Sequence, residues 1–143
     1  VNGVEFRPTI LLFPLVVVEL YIFALGIAFL LSTMFVRFRD IGHIWDVIMQ
    51  AWFYATPIIY PLTQLINVGW LSVAKLVLML NPIAQIIQDA RYLVVTTQTE
   101  TIWGLVGQQC WLLKLIPLLI IAIVLLVGVT VFRRRSPYFA EEL

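Results

Sequence analysis

Asp40, His43 and Asp46 are the nearest that this sequence comes to a catalytic or metal-binding cluster. His43 and Asp46 are three residues apart, so a helix would place both on one face. A metal site needs more ligands, and His43 is the sole histidine of the chain. Neither a Ser-His-Asp nor a Cys-His set can be assembled from the other residues. An interfacial polar role is therefore favoured over catalysis.

Glu19 is a second candidate because it lies inside a long apolar stretch. A carboxylate at membrane depth is costly, and it marks a functional site by default. A structural hydrogen bond or an ion pair with a helix outside this sequence is the competing interpretation. We expect no other carboxylate or histidine at a matching depth, and hence no proton relay.

Aromatic side chains cluster in the second apolar run, where Trp52, Phe53 and Tyr54 are consecutive and Tyr60 follows. Core packing and an interfacial aromatic belt account for such a cluster. The functional alternative is a pore surface on which the apolar faces of sugar rings stack.

The composition places the chain in a bilayer. Of its 143 residues, 62% are hydrophobic and 12% charged, with a mean hydropathy of +1.02, whereas soluble domains carry roughly 25% charged residues. A net charge of +1 without a basic stripe argues against nucleic acid. The single Cys110 excludes an internal disulfide, and no G-x-x-x-x-G-K-[ST] stretch is present to bind ATP.

Three segments are long and apolar enough to cross the membrane: residues 10–36, 41–60 and 103–132. The last is free of charge from residue 115 onward and begins near Trp103 or Trp111. In the first, Ala24, Ala28 and Ser32 form a stripe of small residues that would let another helix approach closely. The sequence predicts an all-α integral membrane protein.

Residues 62–102 are predicted to form a re-entrant pair of short helices on the external side. Leu71–Leu80 is too short to cross and contains Lys75, and Asn81-Pro82 then interrupts the run. Asparagine at the N-cap and proline at the first helical position favour a new helix. That helix is amphipathic, because its apolar residues recur at helical spacing while Gln85, Gln88, Asp89 and Tyr92 fall on other faces.

Arginine distribution sets the predicted orientation. Arg37 and Arg39 follow the first span, and Arg133 to Arg135 follow the last. Both groups lie in the cytoplasm only if the 62–102 segment turns back instead of crossing, which the positive-inside rule favours. Residues 133–143 are then a cytoplasmic tail. A cytoplasmic elbow is then formed by Arg37, Arg39 and Asp40. It either anchors the first span, with Asp40 capping the second helix, or it contacts a partner or an anionic lipid-linked substrate.

The order of these features resembles a known family. A span ending in "FRD" precedes "WFYATPIIYP", an "NP" and a "DARYL" segment, and a last span closing in "FRRRSPYFAEEL". The chain thus resembles the carboxyl-terminal half of the type-2 ABC exporter permeases, the O-antigen and teichoic-acid branch. The resemblance implies a pore and outer gate formed by these residues: Trp52, Tyr54, Thr56, Pro57, Tyr60, Pro61, Asn81, Pro82 and Arg91.

The resemblance also implies partners and a location. The permease would be a homodimer in the bacterial plasma membrane, with a cytoplasmic carboxyl terminus, exporting a lipid-linked polysaccharide or polyol-phosphate polymer. ATP and Mg²⁺ would bind to a separate ATP-binding cassette subunit and not to this chain. Two alternatives remain open: a membrane-embedded enzyme that acts on lipid-linked glycans, and a structural subunit.

Overall fold

A computed structural model describes residues 8–38, 40–58, 60, 62–95, 99–106 and 111–138. Within these ranges the chain is helical and contains no strand, which confirms the predicted all-α membrane fold. Two helical segments are long and apolar enough to cross a membrane, Thr9–Val36 and Ile116–Arg135. A pair of shorter helices, sharply bent at its junction, would be a third if it counts as one span.

Helices α1 (Phe13–Arg37) and α8 (Ile116–Arg135) form the most extensive helix contact. A short 3₁₀ helix, Pro8–Leu12, leads into α1. At ~1.5 Å per residue the two helices are about 37 and 30 Å long, enough to cross a hydrocarbon core of ~30 Å. Both have a proline in the first turn, where a missing backbone N–H costs no hydrogen bond.

The close approach of α1 and α8 depends on two glycines. A Cβ on Gly26 would lie 2.9 Å from the Cα of Leu125, and one on Gly128 would overlap the carbonyl oxygen of Gly26. The predicted small-residue stripe does not make this contact, since Ala24 and Ala28 are both exposed. Backbone therefore packs directly on backbone at a position that the alanine spacing did not indicate.

Helix α2 (Ile41–Ala55) is shorter than the predicted 41–60 span. Thr56 leaves the helical region with φ −93° and ψ 131°, as expected for a residue before proline. The helix covers only about 22 Å. At its other end, the predicted capping role of Asp40 is wrong: its backbone is helical (φ −86°, ψ 0°) and its side chain makes no capping hydrogen bond. A capping side chain requires an extended backbone there.

Short helices fill the region between α2 and α8. They are α3 (Leu62–Asn67), α4 (Leu71–Leu80), α5 (Pro82–Val94), α6 (Ile102–Leu105) and α7 (Trp111–Lys114). Gly69 ends the turn after α3 with φ +88°, a conformation that side chains disfavour. The last long helix begins at Ile116, so the predicted start near Trp103 or Trp111 falls instead on the separate helices α6 and α7.

Helices α4 and α5 meet at an angle of 101°, with Asn81 between them, and we call them the bent pair. The predicted helix break at Asn81-Pro82 is confirmed. Two apolar clusters hold the bent pair in place. One joins α3, α4, α5 and α6 around Leu78 and Ile102, and the other joins α1, α5 and α8 around Phe23, Ile86 and Ile121.

Candidate functional site

Asn81, at the break of the bent pair, connects that pair to the end of α2. Its Oδ1 accepts hydrogen bonds from the Trp52 indole Nε1 at 2.9 Å and from the backbone N of Ala84 at 3.3 Å. Its Nδ2 donates to Oγ1 of Thr56 at 2.9 Å. The predicted N-cap role of Asn81 is therefore confirmed, and the same amide also joins two helices that are far apart in sequence. These four residues form what we call the Asn81 network.

Thr56 completes the Asn81 network from the α2 side. Its hydroxyl donates to the carbonyl oxygen of Trp52 at 2.8 Å while accepting from Asn81. Thr56 is only 2% exposed, so both hydrogen bonds are shielded from water. The Trp52 carbonyl, in the last turn of α2, thus accepts two hydrogen bonds, because the backbone N of Thr56 also donates to it at 2.9 Å.

Arg91 makes a second connection between α5 and the segment that follows α2. Its guanidinium donates to the carbonyl oxygen of Ile58 at 2.7 Å. The chain at Ile58 is no longer helical, so its carbonyl needs a hydrogen-bond donor from outside α2. Arg91 supplies that partner.

The structure brings together part of the predicted outer gate. Trp52, Thr56, Asn81 and Arg91 are connected as described, and Pro57 and Pro82 are buried beside them. Tyr54 and Tyr60 are linked to each other through the Tyr60 hydroxyl, which donates to the Tyr54 carbonyl at 3.4 Å. The Tyr54 ring also meets the ring of Phe53 in an edge-to-face contact, with centroids 5.7 Å apart. The Tyr54 side chain is 72% exposed.

Pro61 and Arg39 lie outside the described residues. Arg37 is the last residue of α1, and Asp40 is exposed at the start of α2. His43 and Asp46 are exposed as well, and the described part of the chain contains no group of histidine, cysteine or acidic residues that could hold a metal ion.

Trp52 contacts both neighbouring helices. Besides donating to Asn81, it meets Phe23 of α1 in an edge-to-face contact with ring centroids 6.1 Å apart. Both contacts position the end of α2 against α1 and α5. A role in sugar stacking stays a prediction. Removing the indole N–H group and removing the whole ring, in separate variants, can test it.

Glu19 does have a carboxylate neighbour, so the expectation that it would have none was wrong. Asp89 of α5 and Glu19 of α1 line the same cavity. Glu19 is 8% exposed, and its Oε1 has no hydrogen-bond partner among the described residues. Helix α5 turns its polar face inward towards α1, and this folding onto a spanning helix was not evident from the helix alone.

Gln85 and Asp89 are further candidate residues that the sequence analysis did not select. Gln85 is 2% exposed, and its Nε2 donates to Oδ2 of Asp89 at 3.1 Å. A signal was available: Gln85, Asp89 and Tyr92 recur at helical spacing and form one polar stripe. A polar stripe on a membrane-embedded helix requires a polar counterpart, and Glu19 was the obvious one.

These features define a helical membrane protein in which a sharply bent helix pair is hydrogen-bonded to the end of another helix. Among curated proteins, the chain is similar to the O-antigen export system permease protein RfbA of Myxococcus xanthus, with 36% identity over 77 residues. This similarity confirms the resemblance inferred from the sequence motifs.

The matched segment covers 54% of this chain and 28% of that relative, so the match spans little more than a quarter of the relative's length. No established protein-family profile matches the chain, and no solved structure matches it. The chain is thus similar to the permease component of an export system and is embedded in a membrane.

Proposed function

We propose that the chain is the carboxyl-terminal half of a permease that exports a lipid-linked polysaccharide or polyol-phosphate polymer across the bacterial plasma membrane. The similarity to the Myxococcus xanthus permease carries the proposal, and the all-α membrane fold supports it. Two copies of the permease form the export pathway. ATP and Mg²⁺ bind to a separate ATP-binding subunit that drives transport, and this chain performs no catalysis.

In the proposed membrane arrangement, residues 10–36, 41–60 and 103–132 cross the bilayer and the carboxyl-terminal tail is cytoplasmic. The bent pair enters from the outer side and returns. Helix α2 alone is too short to cross, so the segment that follows it completes the passage. The hydrogen bonds from Asn81 to Thr56 and from Arg91 to Ile58 support this, because they satisfy that segment within the protein.

The Asn81 network supplies a route from the cytoplasmic side to the outer gate. The elbow at residues 37–40 joins α1 to α2 and contacts the ATP-binding subunit. When that subunit moves α2, the hydrogen bonds of Trp52 and Thr56 to Asn81 carry the displacement to the break of the bent pair. The bent pair then opens or closes the outer end of the pathway.

Deleting the gene for the full-length protein tests the proposed activity. Cells should lose the surface polymer and accumulate its lipid-linked form inside, because synthesis continues when export stops. Re-expression of the wild-type protein should restore the surface polymer only when the partner ATPase retains its P-loop lysine. Unchanged surface polymer in the deletion strain would reject the proposal, and accumulation of an unfinished glycan would favour the enzymatic alternative.

A further inference from the structure

A cavity of about 780 Å³ lies where the starts of α1 and α8 meet the polar face of α5. Its apolar walls include Leu15, Leu93 and Leu118. Its polar lining includes three acidic residues, Glu19, Asp89 and Glu100, and we call it the acidic cavity. A volume of this size is typical of sites for small organic ligands.

Two buried acceptor oxygens of the acidic cavity have no hydrogen-bond donor among the described residues. Glu19 and Gln85 are both more than nine-tenths buried, and Oε1 of each has no partner among the described residues. The Gln85 amide cannot simply be turned over, because its Nε2 is needed as the donor to Asp89. The amide oxygen is therefore held as a free acceptor next to two carboxylates.

The acidic cluster lacks a basic partner in the part of the chain that the structure describes. Within the described ranges, none of the three carboxylates forms an ion pair with a lysine or arginine. Lys114 is buried, but its Nζ lies over the Trp103 ring, 5.4 Å from the ring centroid. An unpaired buried carboxylate costs several kcal/mol, and a ligand that brings both positive charge and donors would remove that cost.

We propose that the acidic cavity binds a primary ammonium group attached to an apolar body. An ammonium group carries one positive charge and three N–H donors, which match the carboxylates of Glu19 and Asp89 and the amide oxygen of Gln85. Tyr92 also lines the cavity, and aromatic rings attract such cations. The leucine walls accommodate the apolar part. A single proton bound to Glu19 would supply one donor, where an ammonium group supplies three.

Binding can be measured on the purified full-length protein in phosphatidylcholine nanodiscs, without any export, so the outcome is independent of the proposed transport function. Three probes separate the contributions by isothermal titration calorimetry: octylammonium, octyltrimethylammonium and octanol. We expect saturable octylammonium binding. Octyltrimethylammonium should bind about tenfold more weakly because it has charge but no N–H donors. Octanol should not bind saturably.

Variants tie the binding to this cavity. Glu19→Gln and Asp89→Asn should each weaken octylammonium binding about tenfold, since each removes a charge-assisted hydrogen bond. Asp46→Asn is the matched control, because it removes an exposed carboxylate of α2 and should leave affinity unchanged. Thermal unfolding of the same samples establishes that the variants are folded.

The natural amine has two possible sources, and competition distinguishes them. If it is a phospholipid headgroup, phosphatidylethanolamine in the nanodiscs should weaken octylammonium binding. If it is an amino sugar of the cargo, glucosamine should compete and N-acetylglucosamine should not. Equal affinity for all three probes, or wild-type affinity in Glu19→Gln, would overturn the proposal and leave a proton as the occupant of the carboxyl pair.

Discussion

Replacing Asn81 by alanine tests whether one amide holds the bent pair to α2. The substitution removes the N-cap of α5, worth about 1 kcal/mol, and leaves the Trp52 indole N–H without its acceptor. The Thr56 hydroxyl loses the Asn81 donor but keeps its hydrogen bond to the Trp52 carbonyl. An unsatisfied, partly buried donor costs about 1–3 kcal/mol. We therefore expect Asn81→Ala to lower the free energy of unfolding by about 3 kcal/mol.

Asn81→Asp is the matched control for that substitution. Aspartate is an equally good N-cap and keeps an oxygen in place for Trp52 and Ala84. Only the donor to Thr56 is lost, and the threonine hydroxyl can turn to donate to the new carboxylate. We expect a cost of about 1 kcal/mol.

The measurement is reversible unfolding of the full-length protein in mixed micelles, followed by tryptophan fluorescence. A difference of about 2 kcal/mol between the two variants corresponds to roughly a thirtyfold change in the unfolding equilibrium constant. If alanine and aspartate at position 81 destabilise the protein equally, the acceptor oxygen does not contribute to the free energy of unfolding. The Asn81 network would then not hold α2 to the bent pair.

Four further predictions concern single positions. Gly128→Ala should destabilise the α1–α8 contact by about 1–3 kcal/mol. Gly104→Ala is the control and should cost little, because the nearest atom to an added Cβ lies at 3.9 Å. Unfolding of both variants measures the difference. Thr56→Val should cost about 1–2 kcal/mol through the unpaired Asn81 amide while Thr56→Ser costs less than half of that, in the same assay. Trp52→Phe should lower the unfolding free energy by about 1 kcal/mol through loss of the indole donor. If Trp52→Ala abolishes export and Trp52→Phe does not, the export role belongs to the aromatic ring. A cysteine in place of Tyr92, in a background without native cysteine, should react with a membrane-impermeant reagent in intact cells, and reaction only after lysis would contradict an external bent pair.

Local sequence signals predicted the helix break well. Asparagine followed by proline gives both the cap and the first helical residue, and the structure starts α5 at Pro82 with Asn81 capping it. The two long apolar helices follow equally from composition and length. These features depend on interactions within a few residues, so a sequence pattern can specify them.

Other features depend on which helices meet and could not be read from a single segment. The Gly26–Gly128 crossing needs both glycines at the same level of two helices about a hundred residues apart. The approach of Asp89 to Glu19 needs α5 to fold back onto α1 with its polar face inward. The predicted end of α2 was too late because the residues up to Tyr60 are apolar enough to continue a membrane span. The proline at position 57 ends the helix earlier, since the residue before a proline disfavours the helical conformation.

The glycine crossing has a consequence for how the protein can deform. Where two backbones touch without intervening side chains, no rotamer change can absorb a relative displacement, so α1 and α8 should move as one rigid body. Helix α2 touches α1 only sparsely and is fixed chiefly where Trp52 and Thr56 meet Asn81. A push on the Ile41 end of α2 should therefore pivot the helix about its Ala55 end, while the α1–α8 pair stays still.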